Sequence, residues 1–236
     1  MADNNKDSES LSEEIFGFNF RSLKTLKDLI IRPNTVFKYF VSGQRGLYTP
    51  MVRLWIGLIG FQVILYYFWG GAAGILKEQI LQNPENMAPL KESIGEERYG
   101  PFIDEWSRII ILLQPVIIGL FSALSVFILK PLNKNINFPA RLNIAFGILT
   151  FGTIVGLTLN LFLAMGLTII ALFGPVLILL AYFVAFFRGA PGIYGDNVGD
   201  RVMNGLVFSI VLLILVLIGN FVMIILASII TAMRIT

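Results

Sequence analysis

Long uncharged runs separated by short polar clusters dominate the chain. Residues 54–74, 109–129, 142–165, 167–187 and 205–233 form five such runs, none with a charged side chain. Each reaches the ~20 residues that a helix needs to cross a hydrocarbon core of ~30 Å. A closed barrel, the other spanning solution, would need ~10-residue strands alternating apolar and polar positions, and the runs do not alternate. Residues 142–187 form one uncharged stretch of 46 residues. As a single helix it would be ~69 Å long, about twice what a bilayer accepts. A break is therefore expected at Met165-Gly166. The pattern predicts an all-α polytopic membrane protein: five transmembrane helices within residues 53–236, an amphipathic segment over 21–52, and a polar, flexible N-terminus over 1–20.

The segment before the first run has a different period. In "FRSLKTLKDLII", Leu23, Leu26, Leu29 and Ile30 share one helical face, with Arg21, Lys24, Lys27 and Asp28 on the other. Pro33 ends this helix. Asn34 is placed to cap a second, "TVFKYFVS", whose apolar face is Val36, Phe37, Phe40 and Val41. Two placements are open for this pair. They lie in the membrane interface with basic residues toward anionic headgroups, or they pack on the transmembrane helices.

Composition sharpens the class. Hydrophobic residues make up 56% and charged residues 14% of the 236, too apolar for a soluble fold of this size. There is no cysteine and no histidine, which removes thiolate nucleophiles, Cys/His zinc sites and imidazole bases. The polar, acidic start "MADNNKDSESLSEE" lacks a basic-then-apolar signal pattern, so the first run is expected to serve as an uncleaved signal. Charge position sets the orientation. The segment before the first run and the connections after the second and fourth hold thirteen Lys/Arg, against five on the other side. The positive-inside rule then puts the N-terminus in the cytoplasm and the C-terminus outside. The external loop "KEQILQNPENMAPLKESIGEERYGPFIDEW" reads as an acidic, solvated surface with one or two short helices.

The stretch "SGQRGLYTP", residues 42–50, joins the amphipathic segment to the first run. Gly43 and Gly46 permit tight turns, and Thr49-Pro50 has the form of an N-cap followed by proline at the first helical position. Arg45 can present a fork to a phosphate, with Tyr48 covering it at headgroup depth; Asp196 and Asp200 are its candidate protein partners. Lys24, Lys27, Arg32 and Lys38 are further candidates for headgroup or interhelical contact.

Here "TLKDLIIRPNTVFKYFVSGQRGLYTPMVRLW" resembles the signature of a bacterial family of multi-pass membrane proteins of unknown function. Arg32, Pro33, Gly43, Arg45, Tyr48 and Pro50 match in order, with the Tyr-to-Pro gap one residue short. "YFVAFFRGAPGIYGDNVGDRVMNGL" is similar to that family's segment before its last span. Longer members begin with a cysteine zinc ribbon, which this chain lacks, so no role of that ribbon carries over. The layout also resembles the Yip-type five-span membrane proteins, and that resemblance implies at most scaffolding or membrane shaping.

Within the runs, Gln62, Gln114, Asn160 and Asn220 stand out, with Asn143 and several Ser and Thr. They link helices, or Gln114, Asn160 and Asn220 line a polar pocket for a headgroup or small solute. Gly70/Gly74 and Gly152/Gly156 have the Gly-x-x-x-Gly spacing of close helix packing. Pro115 and Pro175 are candidate kinks, with Gly174-Pro175 the candidate hinge. With no charge at membrane depth, proton relays and ion-coupled carriers lose support. The expectation is a non-enzymatic scaffold or accessory subunit without a cofactor, binding membrane lipids and other membrane proteins or its own copies. It is not expected to bind nucleic acid. The alternative is a passive channel or a small-solute or lipid carrier.

Overall fold

The computed structural model describes residues 20–69, 77, 88–165, 167 and 169–235. Most of the expected polar N-terminus, the first half of the external loop, Gly70, Gly74 and Gly166 lie outside the described residues. The described secondary structure is helical: α1 (Phe20–Ile31), α2 (Pro33–Val41), α3 (Met51–Trp69), α4 (Ala88–Ile94), α5 (Glu96–Ala123), α6 (Ser125–Leu132), α7 (Phe138–Ala164), α8 (Ile169–Gly189) and α9 (Val198–Ile235). Among the described residues, three stretches are long and apolar enough to cross a membrane: Glu96–Leu132, Phe138–Leu163 and Val198–Ile235. Two shorter apolar helices, Met51–Leu65 and Phe173–Gly189, accompany them.

The long apolar run breaks where its length requires. α7 ends at Ala164, Met165 caps it, and α8 resumes at Ile169. The second run differs from expectation. Its helix starts within the acidic loop at Glu96, and a turn at Leu124 separates α5 from α6. Glu96 and Glu97 in the first turn of α5 face the positive end of its dipole, and Gly95, at φ 85°, lets the chain turn out of α4. Pro115 and Pro175 sit inside α5 and α8.

Two compact units divide the chain, Met1–Gly60 with Ala123–Ile214, and Phe61–Ser122 with Leu215–Thr236. In the first, α7 packs on α8 at Gly152, where a Cβ would come within 2.0 Å of the Tyr182 ring; at Gly156 it would meet Ile178 at an ordinary 3.6 Å. The tight approach therefore sits at one glycine of the pair. In the second unit, Tyr99, Phe102, Ile103, Trp106, Ile109 and Ile110 of α5 form a core with Met223 and Ala227 of α9. The Trp106 indole donates to Ser228 Oγ at 3.2 Å, and Arg234 pairs with Glu105.

Polar side chains within the apolar helices mostly bond to their own helix. Asn220 donates to Val216 O, Thr153 to Leu149 O and Thr158 to Ile154 O, each one turn back. These three, read from sequence as links between helices, are satisfied locally. Gln62, Gln114 and Asn160 are half-buried.

Candidate functional site

The site is built in the first unit around α1, which buries much of the polar side of its sequence pattern. Its buried side chains are Ser22, Thr25, Asp28 and Leu29. Leu23 is 59% exposed, Ile30 41% and Ile31 58%. Sequence periodicity put Leu23, Leu26, Leu29 and Ile30 on one face, toward lipid or toward protein, and Asp28 on the other; the structure buries Leu29 and Asp28, half-buries Leu26 and leaves Leu23 and Ile30 exposed. The reason is the partner surface. The i, i+3, i+6 stripe Ser22–Thr25–Asp28 meets a polar strip of main chain and hydroxyls, which no helix-by-helix periodicity reports.

That strip is the joint at residues 48–51. Thr49 N donates to Thr25 Oγ1 at 3.0 Å, and the Ser22 and Thr49 hydroxyls lie 3.3 Å apart. The Tyr48 hydroxyl donates to Asp28 Oδ2 at 2.9 Å, and Arg32 Nε donates to Asp28 Oδ1 at 3.0 Å. Burial disfavours the Asp28 charge, but the Arg32 and Tyr48 hydrogen bonds and the positive charge of Arg32 and Lys24 outweigh it and hold its carboxyl below the ordinary range. Burial, then the bond to Asp28, raises Tyr48 above the usual phenol value. Arg32 is thus bound to Asp28, and Lys24 lies 5.7 Å above the Tyr48 ring. Lys27 and Lys38 are exposed.

The start of α3 differs from expectation too. Thr49 spends its hydroxyl on Ser22 rather than capping the helix, which begins at Met51. The orphan Met51 N–H is taken instead by Asn143 Oδ1 of α7 at 2.9 Å. Asn143, in the third apolar run, thereby joins α7 to the start of α3.

α2 docks on the helices through an apolar face of Val36, Phe37 and Tyr39, while Val41 is exposed. Phe37 lies between two glycines. A Cβ on Gly147 of α7 would come within 2.7 Å of its ring, and one on Gly189 of α8 within 2.2 Å. Asn34 caps nothing in α2; its amide donates to Gly189 O at 2.8 Å and Pro191 O at 2.7 Å, tying α2 to the end of α8. Arg188 donates to Ile30 O at 2.9 Å and Ile31 O at 2.6 Å, a cation on the open carbonyls at the negative end of α1. Sequence reasoning used Arg188 only as a topology marker. Its place in the last turn of α8, next to an aromatic-rich stretch, was the available signal.

The segment Ala190–Asn197 belongs to the same assembly. Asn133 donates to Ile193 O at 2.7 Å and Asn204 to Tyr194 O at 2.6 Å. Tyr194 packs on Phe186, which stacks on Phe208. Burial raises the Tyr194 hydroxyl well above the usual phenol value.

Arg45 stands apart. Gly43 and Gly46 take φ of 72° and 99°, the left-handed turns expected of them. Arg45 is exposed and forms no ion pair with Asp196 or Asp200; Asp200 instead accepts from Asn197. The expected protein partners of Arg45 are therefore set aside. Tyr48 is buried with its hydroxyl turned to Asp28. A cavity of about 420 Å³ lies at this joint, and Arg21, Arg45, Tyr39, Tyr48, Asn137 and Asn143 are among its lining residues. Gln114, Asn160 and Asn220 do not line it.

Fold and site together define a class: an all-α chain with several helices apolar enough to cross a membrane, and a helix pair fastened by polar contacts across the ends of those helices. Beyond that class, comparison with known proteins gives no match to a family model, a curated protein or a solved structure.

Proposed function

We propose that this chain is a five-span protein of a bacterial inner membrane, acting as a non-enzymatic scaffold or accessory subunit that binds lipids and other membrane proteins. The observation that carries the reading is the orientation of α1. Its polar stripe faces protein, while Phe20, Leu23, Ile30 and Ile31 face outward. In water that arrangement exposes apolar area and buries a carboxylate. At a membrane interface the exposed side has an apolar medium to enter. Outward Leu112, Val116, Leu120 and Phe127, and Ile210, Leu217 and Phe221, support a lipid-facing surface on the longer helices. At ~1.5 Å per residue, α3 and α8 reach ~28 and ~32 Å, enough to add two spans to the three longer ones. The resemblance to Yip-type layouts supports the same reading.

Purification in a mild detergent, with identification of the lipids and proteins that remain bound, tests it. The expected result is recovery only from membranes, with anionic lipid and at least one further membrane protein or a second copy retained. Release from membranes by alkaline carbonate would sink the membrane reading. A monomer free of protein partners that passes solute when reconstituted would sink the scaffold reading.

A further inference from the structure

The cavity beside Arg45 has the chemistry of an anion site. Two guanidiniums, Arg21 and Arg45, line it together with Gln44 and Asn137, and among the described residues no carboxylate does; the Asn143 amide there is already engaged by Met51 N and Pro139 O. Arg21 and Arg45 are exposed, and among the described residues neither side chain is engaged in an ion pair. The Asp28 carboxylate of the joint is occupied by Tyr48 and Arg32. Main-chain donors are present as well. Gly43 N bonds back to Phe40 O and Leu47 N to Tyr39 Oη, but among the described residues the amides of Gln44, Arg45 and Gly46 between them have no acceptor. They lie in a loop bounded by two left-handed glycines, on the cavity's lining. Tyr39 Oη accepts from Leu47, so its own proton is free to donate. The N-terminus of the 27-residue α7 also lines it, through its N-cap Asn137, whose Oδ1 accepts from Ala140 N, and through Pro139 and Ala140, which adds the positive end of a helix dipole.

We propose that this cavity binds a phosphate group, gripped by Arg21 and Arg45 and completed by the amides of the 43–46 loop. Guanidiniums suit this ligand because their planar fork matches phosphate oxygens. Exposed apolar side chains alternate with the lining residues in sequence: Phe20 precedes Arg21, Val41 follows Phe40, Leu47 precedes Tyr48, and Phe138 lies between Asn137 and Pro139. A phospholipid headgroup would leave its acyl chains beside these, whereas free inorganic phosphate would not use them. The lipid source rests on the membrane reading above; the phosphate chemistry does not.

The test uses the purified full chain in a neutral detergent. Its thermal unfolding is followed while titrating short-chain phosphatidic acid, short-chain phosphatidylcholine or inorganic phosphate, for the wild type, R21Q, R45Q, R21Q/R45Q and K24Q/K27Q. Saturable stabilisation by phosphatidic acid alone assigns a headgroup, and the same response to inorganic phosphate assigns a soluble phosphate. In either case R21Q and R45Q should each weaken binding roughly tenfold or more. Their unliganded melting temperatures should match the wild type, because neither side chain holds the fold together. K24Q/K27Q removes the same charge outside the cavity and should leave binding within about twofold. Absence of saturable binding in all three titrations overturns the proposal. So does equal loss in K24Q/K27Q, or affinity indifferent to both arginines. A chain that fractionates with membranes yet shows any of these results fails this proposal and not the membrane reading.

Discussion

Asp28 carries the most charge-dependent contact of the joint. It is 4% exposed and joins two segments twenty residues apart through Tyr48, while Arg32 holds its other oxygen. Its carboxyl is held below the ordinary range, so the stabilisation it adds is present above its unfolded value of ~3.9 and is lost as pH falls through the lower folded value. Amide exchange of residues 20–31 in the full chain should therefore be steady from neutral pH down to about 5, and docking should weaken only below about 4. D28N should loosen α1 at neutral pH and flatten that acid dependence. Tyr48→Phe removes one hydrogen bond while keeping the ring, and should weaken docking by about 1 kcal/mol, seen as roughly fivefold faster exchange across α1. Unchanged exchange in both variants would mean that Leu29 and the threonine contacts hold the helix alone. Nothing in the heptad of "LKTLKDL" marks Asp28 as buried. Its partner lies in another segment, and a carboxylate on the polar side of an amphipathic pattern reads as solvated until that partner is placed.

At the scale of elements, α2 is fixed by shape. The Phe37 ring fills the space left by two missing side chains, at Gly147 and Gly189. Gly189→Ala would place a Cβ 2.2 Å from that ring, and should destabilise the detergent-solubilised protein by about 1–3 kcal/mol. Phe37→Leu in the same chain should recover part of the loss, because a smaller side chain leaves room for the methyl. Additive losses in the double variant would show that the two do not share one space. What was legible here followed from periodicity and length: the two short helices, the break at Met165, the turns at Gly43 and Gly46. Helix caps were not legible. Asn34 and Thr49 had the right chemistry to cap their own helices, yet Asn34 serves α8 and Thr49 serves α1, while Asn143 caps α3 from 92 residues away. A side chain with a good local use takes a distant one when tertiary packing buries a polar group that water cannot reach. The anion cavity was half legible: "GQRG" announced the loop and Arg45, but Arg21 joins it only through the fold.

For the whole molecule, the question is which helix ends share a side of the membrane. Within the first unit, hydrogen bonds from Asn34 to Gly189 and Pro191, and from Asn133 to Ile193, bring α2, the α6–α7 connection and the α8–α9 connection together. Within the second, Arg234 at the end of α9 pairs with Glu105 near the start of α5. Each grouping joins segments that charge counting had placed on one common side: the basic set with the first grouping, the acidic loop and the C-terminus with the second. The proposed five crossings would satisfy both, since the chain would then pass through the bilayer an odd number of times between its first helix and its last residue. The excess of thirteen basic residues over five leads us to propose the first side as cytoplasmic. Reporters fused after Lys134 and near Arg201 should therefore read cytoplasm, and one near Glu96 should read the outside. Agreement between Lys134 and Arg201 tests the hydrogen-bonded grouping, because those connections cannot face opposite ways while Asn133 bonds Ile193. The compartment they report tests the charge rule. An outside signal at both would reverse the orientation and keep the fold, whereas opposite signals at the two would mean that α7 and α8 do not both cross.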